Sequence, residues 1–439
     1  MLKITTPLVV LLAPFSVCFN EPVFATFQVM VAAWVVCLGR RTISRVWQTT
    51  GRAGSEDHSQ AYRLFNQAVW NWDDLARVML LELLCDLIPG SSVWLVVDDT
   101  LCHKRGAKVA FGGIFLDAVS SSTKHKVFRF GVNWVTLGVV VQLPFRKDRF
   151  FCVNLLWRVY SKKVKGLPHQ TKSQLARRMV ELVATWLPQR TLYVVADSAY
   201  VGKHLLRGLP QHVHAIGPIH PKASLTCPLP PGYQGRRKVG EALSAKPKGM
   251  MDDPAFGDCD ELVLALPNGE RKGLLVKVFK GLCWYPVAGQ REVQLVLLRD
   301  PEGKWRDEML LSTNLRLSAQ EVVLGYLRRW SVEVCYGESK ELLGLHEPQV
   351  RTAEAVSRAH AMAWFVGGLV LGWYARHGHD AEQARWDRPW YEPQAEPTFA
   401  QMLATMRLHL WRDGWDGAGD DERKSILDWL LHYIATAMP

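Results

Sequence analysis

The chain contains no Cys-x-x-Cys pair. Its nine cysteines stand singly at positions 18, 37, 85, 102, 152, 227, 259, 283 and 335, an odd number at irregular spacing. That pattern argues against a zinc ribbon and a disulfide framework, and it fits a reducing compartment. Internal repeats and low-complexity segments are also missing, which argues against a solenoid or a disordered tail. Apolar runs are short. Leu8 to Leu12 is bracketed by Pro7 and Pro14, and no small-x-small site follows it closely, although Lys3 precedes it. Phe24 to Leu38 is too short and too mixed to span a bilayer. The expectation is a protein of the cytoplasm, with both runs buried in a helical domain and no membrane partner.

Acidic residues are the scarcer charge. Lys plus Arg number 53 against 42 Asp plus Glu, a net charge of +11 over 439 residues. Such a surplus favours a polyanionic partner, with nucleic acid ahead of a membrane surface, although a basic enzyme without such a partner has the same balance. With 48% hydrophobic residues the chain can build large cores.

Residues 1–90 read as helical. Phe27, Met30, Val31, Trp34, Val35 and Leu38 recur at helical spacing, and Gly39 ends the run. The basic stretch Arg40 to Trp47 follows, with Thr42 as N-cap. Helix, glycine turn and basic helix suit a helix-turn-helix, and equally a bundle with a solvated basic edge. The texture changes after Pro89-Gly90. Val93 to Val97 is a β-branched run ending at Asp98-Asp99-Thr100, and Leu192 to Ala196 is another, ending at Asp197. Lys108 to Val119 and Val132 to Leu143 also read as strands, and Thr171 to Leu187 as an amphipathic helix. Alternating strands and helix predict an α/β core over 91–207. The Pro- and Gly-rich stretch 208–312, with strand-like runs at 273–280, 292–298 and 308–312, reads as a β-rich insertion. The core resumes over 313–350, where Ser318 and Glu321 form a capping box. Residues 351–439 read as a helical C-terminal region, with Pro389, Pro393 and Pro397 in a loop.

The chemistry concentrates in Tyr326 to Lys340. Wound as one helix, Tyr326, Arg329, Glu333 and Lys340 fall within about 60° of one another. That face offers a carboxylate among a phenol, a guanidinium and an ammonium, groups suited to a metal and to phosphate oxygens. Glu338 lies about 120° from Tyr326 and is set aside. Asp98 and Asp197 each end a buried strand, where α/β sites form. With Glu333 they make three carboxylates able to hold two Mg²⁺ ions about 4 Å apart for in-line phosphoryl displacement. Each has an ordinary reading too: a turn former or N-cap for either Asp, an i,i+4 partner of Arg329 for Glu333. Only one of Asp98 and Asp99 points into such a site, since strand neighbours face opposite sides.

These residues resemble a family. Asp98-Asp99-Thr100 with Lys104-Arg105-Gly106, Asp197-Ser198-Ala199-Tyr200, and the Tyr-x-x-Arg-x-x-x-Glu-x6-Lys signature at Tyr326, Arg329, Glu333 and Lys340 are similar to those of bacterial insertion-sequence DDE transposases. The resemblance covers roughly residues 90–350. It implies an RNase H-like core interrupted by a β-rich insertion between the second Asp and the Glu, flanked by N- and C-terminal helical regions. It implies Asp98, Asp197 and Glu333 as catalytic metal ligands, with two Mg²⁺ ions and Mn²⁺ as a substitute. The implied activity is cleavage at terminal inverted repeats and transfer of the 3′-hydroxyl ends to target DNA, by a homodimer on DNA in a bacterial, nucleoid-associated setting. Tyr326, Arg329 and Lys340 would grip phosphates. Lys104 and Arg105 are further candidate DNA contacts, or solvated loop. Trp330 is a candidate for stacking on an unpaired base, against the ordinary reading of core packing. The basic cluster Arg236-Arg237-Lys238 and the run Lys162 to Lys165 read as backbone contacts or solvated surface. Three other readings are a retired, DNA-binding transposase, a metal-dependent nuclease that cuts without rejoining, and a helical envelope protein suggested by the N-terminal apolar runs.

Overall fold

The computed structural model describes residues 6–436, apart from 53, 164, 165, 167, 267, 268, 385–389 and 391–395. Lys165 of the run noted above, and Pro389 and Pro393 of the predicted loop, lie outside the described residues.

Five helices open the chain: α1 (Thr6–Leu12), α2 (Glu21–Val36), α3 (Ile43–Thr49), α4 (Ser59–Asn66) and α5 (Trp72–Val78). As the sequence suggests, Thr42 caps α3, its side chain accepting from the Arg45 N–H. Gly39 takes a left-handed φ of 72°, which a side chain resists. From Val29 to Cys37 every residue of this segment is buried, so α2 is an internal helix and not one wall of a solvated groove. The Trp34 indole N–H donates to the Leu343 carbonyl at 2.9 Å, tying α2 to the far end of the chain. No helix among the described residues is long and apolar enough to cross a membrane.

Ten strands form a single mixed sheet: β1 (Ser92–His103), β2 (Gly113–Leu116), β3 (Phe128–Leu143), β4 (Arg146–Tyr160), β5 (Thr191–Ala196), β6 (Val213–Pro218), β7 (Asp260–Ala265), β8 (Arg271–Cys283), β9 (Glu292–Arg299) and β10 (Glu308–Ser312). The order is β2-β3-β1-β5-β6-β10-β9-β8-β7, with β4 beside β2 along the edge of β3 that faces away from β1. β1, β5 and β6 are parallel, and the remaining pairings are antiparallel. The strands of the 208–312 stretch therefore extend the same sheet, joined through β6 and β10. The architecture is the α/β, RNase H-like arrangement with helical ends that the sequence implies.

Four strands differ from expectation; two of them, β6 and β7, fall in the 208–312 stretch outside its strand-like runs. The predicted strand over 108–119 shrinks to β2, because residues 107–112 turn and the Ala110 N–H is taken by the Arg351 carbonyl. β4 has no counterpart in the pattern. Its run Phe151–Trp157 is buried on both faces, which removes the two-residue period that marks a strand.

The connecting helices are α6 (Lys172–Trp186), α7 (Lys203–Leu206), α8 (Pro247–Met250), α9 (Tyr285–Ala288), α10 (Ala319–Leu327), α11 (Trp330–Glu341), α12 (Ala353–Ala359), α13 (Met362–Trp373), α14 (Phe399–Asp416) and α15 (Asp420–Ala435). α6 has the full capping box, Thr171 with Gln174, and packs on β3 and β4. α11 packs on β4 and β1, and α10 on β5, β6 and β10. Gly325 of α10 sits against Trp94, where a Cβ would come within 2.4 Å of the indole. Glycine thus sets how closely α10 approaches the sheet.

Candidate active site

A mid-strand position and a strand end define the site: the run expected to stop at Asp98 continues as β1 to His103 because β3 goes on pairing with it, while β5 stops before Asp197. In the parallel pairing of β1 with β5, Val97 is the partner of Ala196. The next positions on each strand are Asp98 and Asp197. Neighbouring strands lie about 4.8 Å apart, and equivalent positions face one side of the sheet. The ladder therefore sets the two acids side by side at the carboxyl edge, where crevices form in open α/β sheets. Asp98 is opposite Thr136 on β3. The Thr136 hydroxyl and the Tyr336 phenol of α11 lie 2.6 Å apart, so this face of the sheet looks onto α11.

Asp99 turns the other way. Its carboxylate accepts from the Lys172 ammonium of α6 at 2.6 Å, the Tyr200 hydroxyl at 2.8 Å and the Asn133 amide at 3.3 Å. Asp99 is thus fully engaged on the α6 side. Tyr200, the last residue of Asp-Ser-Ala-Tyr, is buried and serves as part of its cradle.

The third element departs from the expected single helix. α10 ends at Leu327 and α11 begins at Trp330, with Arg328 and Arg329 in a turn between them. The N–H groups of Arg328, Arg329, Ser331 and Val332 each bond the carbonyl three residues back. This tighter winding advances the downstream residues by roughly 40° relative to an unbroken α-helix. The Arg328 guanidinium lies 4.2 Å from the Trp94 ring centroid and 4.5 Å from that of Phe150, and burial pushes its pKa down to about 10. Stacking of this kind contributes about 0.5–2 kcal/mol and gives the turn a tertiary cause.

Arg329 is the centre of the cluster. Its guanidinium donates to Asp98 Oδ2 at 3.2 Å and pairs with Glu333 Oε1 at 2.7 Å. It also lies 6.0 Å from the Tyr326 ring centroid. Glu333 is therefore the i,i+4 partner of Arg329, and the same guanidinium reaches back to the sheet. Burial pushes the Asp98 carboxyl up to about 7, against the Asp99 N–H and Arg329, which favour its charged form. Burial raises Asp197 as well, although the Ala199 N–H at 2.9 Å and the charge of Arg329 oppose it. Glu308, at the start of β10, is raised by burial and feels the same guanidinium. The sequence gives no sign of Glu308, because nothing local marks which end of β10 meets this edge.

The other candidates scatter around this centre. Lys340 is half-buried on the last turn of α11, without a hydrogen-bond or ion-pair partner among the described residues. Lys104 donates to the carbonyls of His346 at 2.7 Å and Pro348 at 3.1 Å, so it first serves to fasten the loop after α11. Arg105 is exposed. Trp330 is 62% exposed, which corrects the core-packing reading: the turn swings it off the buried stripe. Glu338 pairs with Arg149 at 3.0 Å, away from the cluster. The basic edge of the N-terminal helices is also largely internal. Arg41 is buried and donates to the carbonyls of Trp34 and Cys37, while Arg45 donates to the Thr436 carbonyl. Two missed residues, Thr136 and Asn133, are polar interruptions in the apolar run of β3, and that interruption was the available signal.

Among the described residues no three His, Cys, Asp or Glu side chains are grouped closely enough to hold a metal in this arrangement, with Arg329 bonded to two of the three acids. The donor chemistry nevertheless fits a hard divalent cation. All three candidates offer carboxylate oxygens, and burial raises Asp98 and Asp197 despite the charge of Arg329, a desolvation that a bound cation would offset.

A family model described as DDE superfamily endonuclease matches residues 14–259, more than half of the chain, and the chain belongs to that family. The matched span includes Asp98 and Asp197 and ends upstream of Glu333. No curated protein matches the sequence. Family membership makes DNA the substrate and a nuclease or transposase type of phosphodiester chemistry the activity.

Proposed function

We propose that the protein is a DNA transposase that cleaves at the terminal inverted repeats of an insertion sequence and transfers the freed 3′-hydroxyl ends to target DNA. The observation that carries this reading is the register of β1 with β5, which aligns Asp98 with Asp197, together with Arg329 linking Asp98 to Glu333. Asp98, Asp197 and Glu333 would hold two Mg²⁺ ions, with Mn²⁺ as a substitute. Such ions supply Lewis acidity at the attacked phosphate and lower the pKa of an attacking hydroxyl.

The chain's own groups orient the substrate. Arg329 presents a planar fork suited to a phosphate, and Lys340 a point charge without a partner among the described residues. Tyr326 adds a phenol beside Arg329. Trp330 offers an exposed ring on which an unpaired base stacks. Lys104 and Arg105 extend the basic surface beyond β1. Residues 1–90 approach the element ends through their exposed surface, since Arg41 is tied to the Cys37 carbonyl and Arg45 to that of Thr436. A homodimer bridging two ends completes the assembly.

The test is incubation of the full chain with linear DNA carrying the flanks of its own coding region, with and without Mg²⁺. Cut ends and joined products, both dependent on the metal, are expected. Cutting without joining would favour a nuclease, and binding without either would favour a protein retired from chemistry.

A further inference from the structure

At the opposite, amino edge of the sheet lies a second concentration of positive charge. A cavity of about 490 Å³ opens between the loop that leads into β6 and the α9–β9 connection, with Arg207, Lys238 and Arg291 among its lining residues. No carboxylate lines it. Glu181 pairs with Arg177 at 2.8 Å, and Glu292, next to Arg291, lies toward Gly281.

Two of the three cations are held in place. Arg207 donates to the Tyr285 carbonyl at 2.7 Å and to that of Pro286 at 3.4 Å, and its guanidinium lies 5.6 Å from the Tyr285 ring centroid. Arg291 donates to the Pro210 and Gln211 carbonyls and, at 3.1 Å, to His214 Nδ1. His214 stacks on Tyr193, and Tyr193 on Trp94, along three parallel strands. Each arginine has five N–H donors and uses only some of them on these carbonyls. Lys238 is exposed and has no partner among the described residues. Fixed guanidiniums with spare donors, one free ammonium and no acid constitute a receptor for a tetrahedral anion.

We infer that this cavity seats a backbone phosphate of DNA away from the cleaved end, giving the protein a second grip on the duplex. The inference rests on the DNA-processing function proposed above. Its geometry sets a ruler. β5 separates the two edges by six residues, about 20 Å at 3.3 Å per residue. That span corresponds to at least about 6 base pairs at 3.4 Å each.

The test measures salt dependence of binding for the full chain on two duplexes carrying the same end, one stopping within about 6 base pairs of the scissile phosphate and one continuing well past it. Losing one phosphate contact lowers the slope of log K against log salt by about 0.9. Lys238→Gln and Arg291→Gln are each expected to lower it by about that amount on the long duplex alone, with Lys238→Arg restoring it. Because Arg291 also braces a loop, Lys238→Gln with an unchanged melting temperature is the deciding variant. An unchanged slope on both duplexes, or an equal drop on both, would overturn the inference while leaving the transposase reading intact. Failure of the wild-type chain to bind either duplex would remove both.

Discussion

Asp98, on β1, and Asp300, just past the end of β9, are both carboxylates withdrawn from solvent, and their surroundings treat them in opposite ways. Burial works against the charged form of Asp300 too. There, however, the Lys272 ammonium at 2.8 Å and the N–H groups of Trp305 and Glu302 outweigh it and hold the group down to about 2. At Asp98 burial wins, and the carboxyl is pushed up to about 7. The outer region therefore saturates its acid with donors, and at the carboxyl edge the donors to Asp98 do not offset its burial. A group that only has to hold a turn is best fully satisfied; one that has to bind something else is best left wanting.

The sharpest way to break this contrast is to remove the acids of the carboxyl edge. Asp197→Asn or Glu333→Gln should lower Mg²⁺-dependent cleavage on the order of 10³-fold or more, since several kcal/mol of charge stabilisation are lost. Filter binding of end DNA should be largely retained; retained cleavage in either variant would refute the site assignment. Next in size is Arg329→Gln. It strands Asp98 without its guanidinium, so the metal-free protein should lose up to about 3 kcal/mol. Mg²⁺ should then raise the melting temperature of the variant more than that of the wild type, as read by calorimetry. An equal metal response in both proteins would mean that Arg329 and the cation do not share a role.

A smaller effect is expected on the saturated side. Asp300 has its pKa depressed in the folded state, so its contribution to stability is present above 3.8 and is lost as pH falls through about 2. Asp300→Asn should flatten that acid limb of the stability profile and leave cleavage per folded molecule unchanged. An unaltered acid limb would show that the cradle around Asp300 is not stabilising. The smallest change in stability belongs to Trp330→Ala. The ring is exposed, so stability should move by no more than about 0.5 kcal/mol. Affinity for a frayed DNA end should drop by about 1–3 kcal/mol, measurable by fluorescence anisotropy. A large loss of stability would return Trp330 to the core.

Much of this was legible in the residues. Thr42 and Ser318 cap the helices they were expected to cap, because an N-cap is a local bargain between a hydroxyl and the next turn. The strands carrying Asp98 and leading to Asp197 were legible from their β-branched runs, although β1 runs on to His103. Their register was not, since no local pattern states which strands become neighbours. The turn at Arg328 and Arg329 contains neither Gly nor Pro, and its cause, the Trp94 and Phe150 rings, lies far away in sequence. Arg41 looked like a solvated edge because its coverage comes from distant chain, including the Glu347 carboxylate that accepts from its N–H at 2.6 Å. Local rules read local causes, and the misses are long-range ones.

The alternation at the end of β1 carries a last consequence. Because the strand presents Val97, Asp98 and Asp99 to opposite sides in turn, losing one residue upstream within β1 would rotate Asp99 onto the α11 side and keep an acid there. Gaining one residue would bring Val97 instead. Tolerance to length change in this strand is therefore lopsided, with a spare carboxylate on one side of the accident and a hydrocarbon on the other.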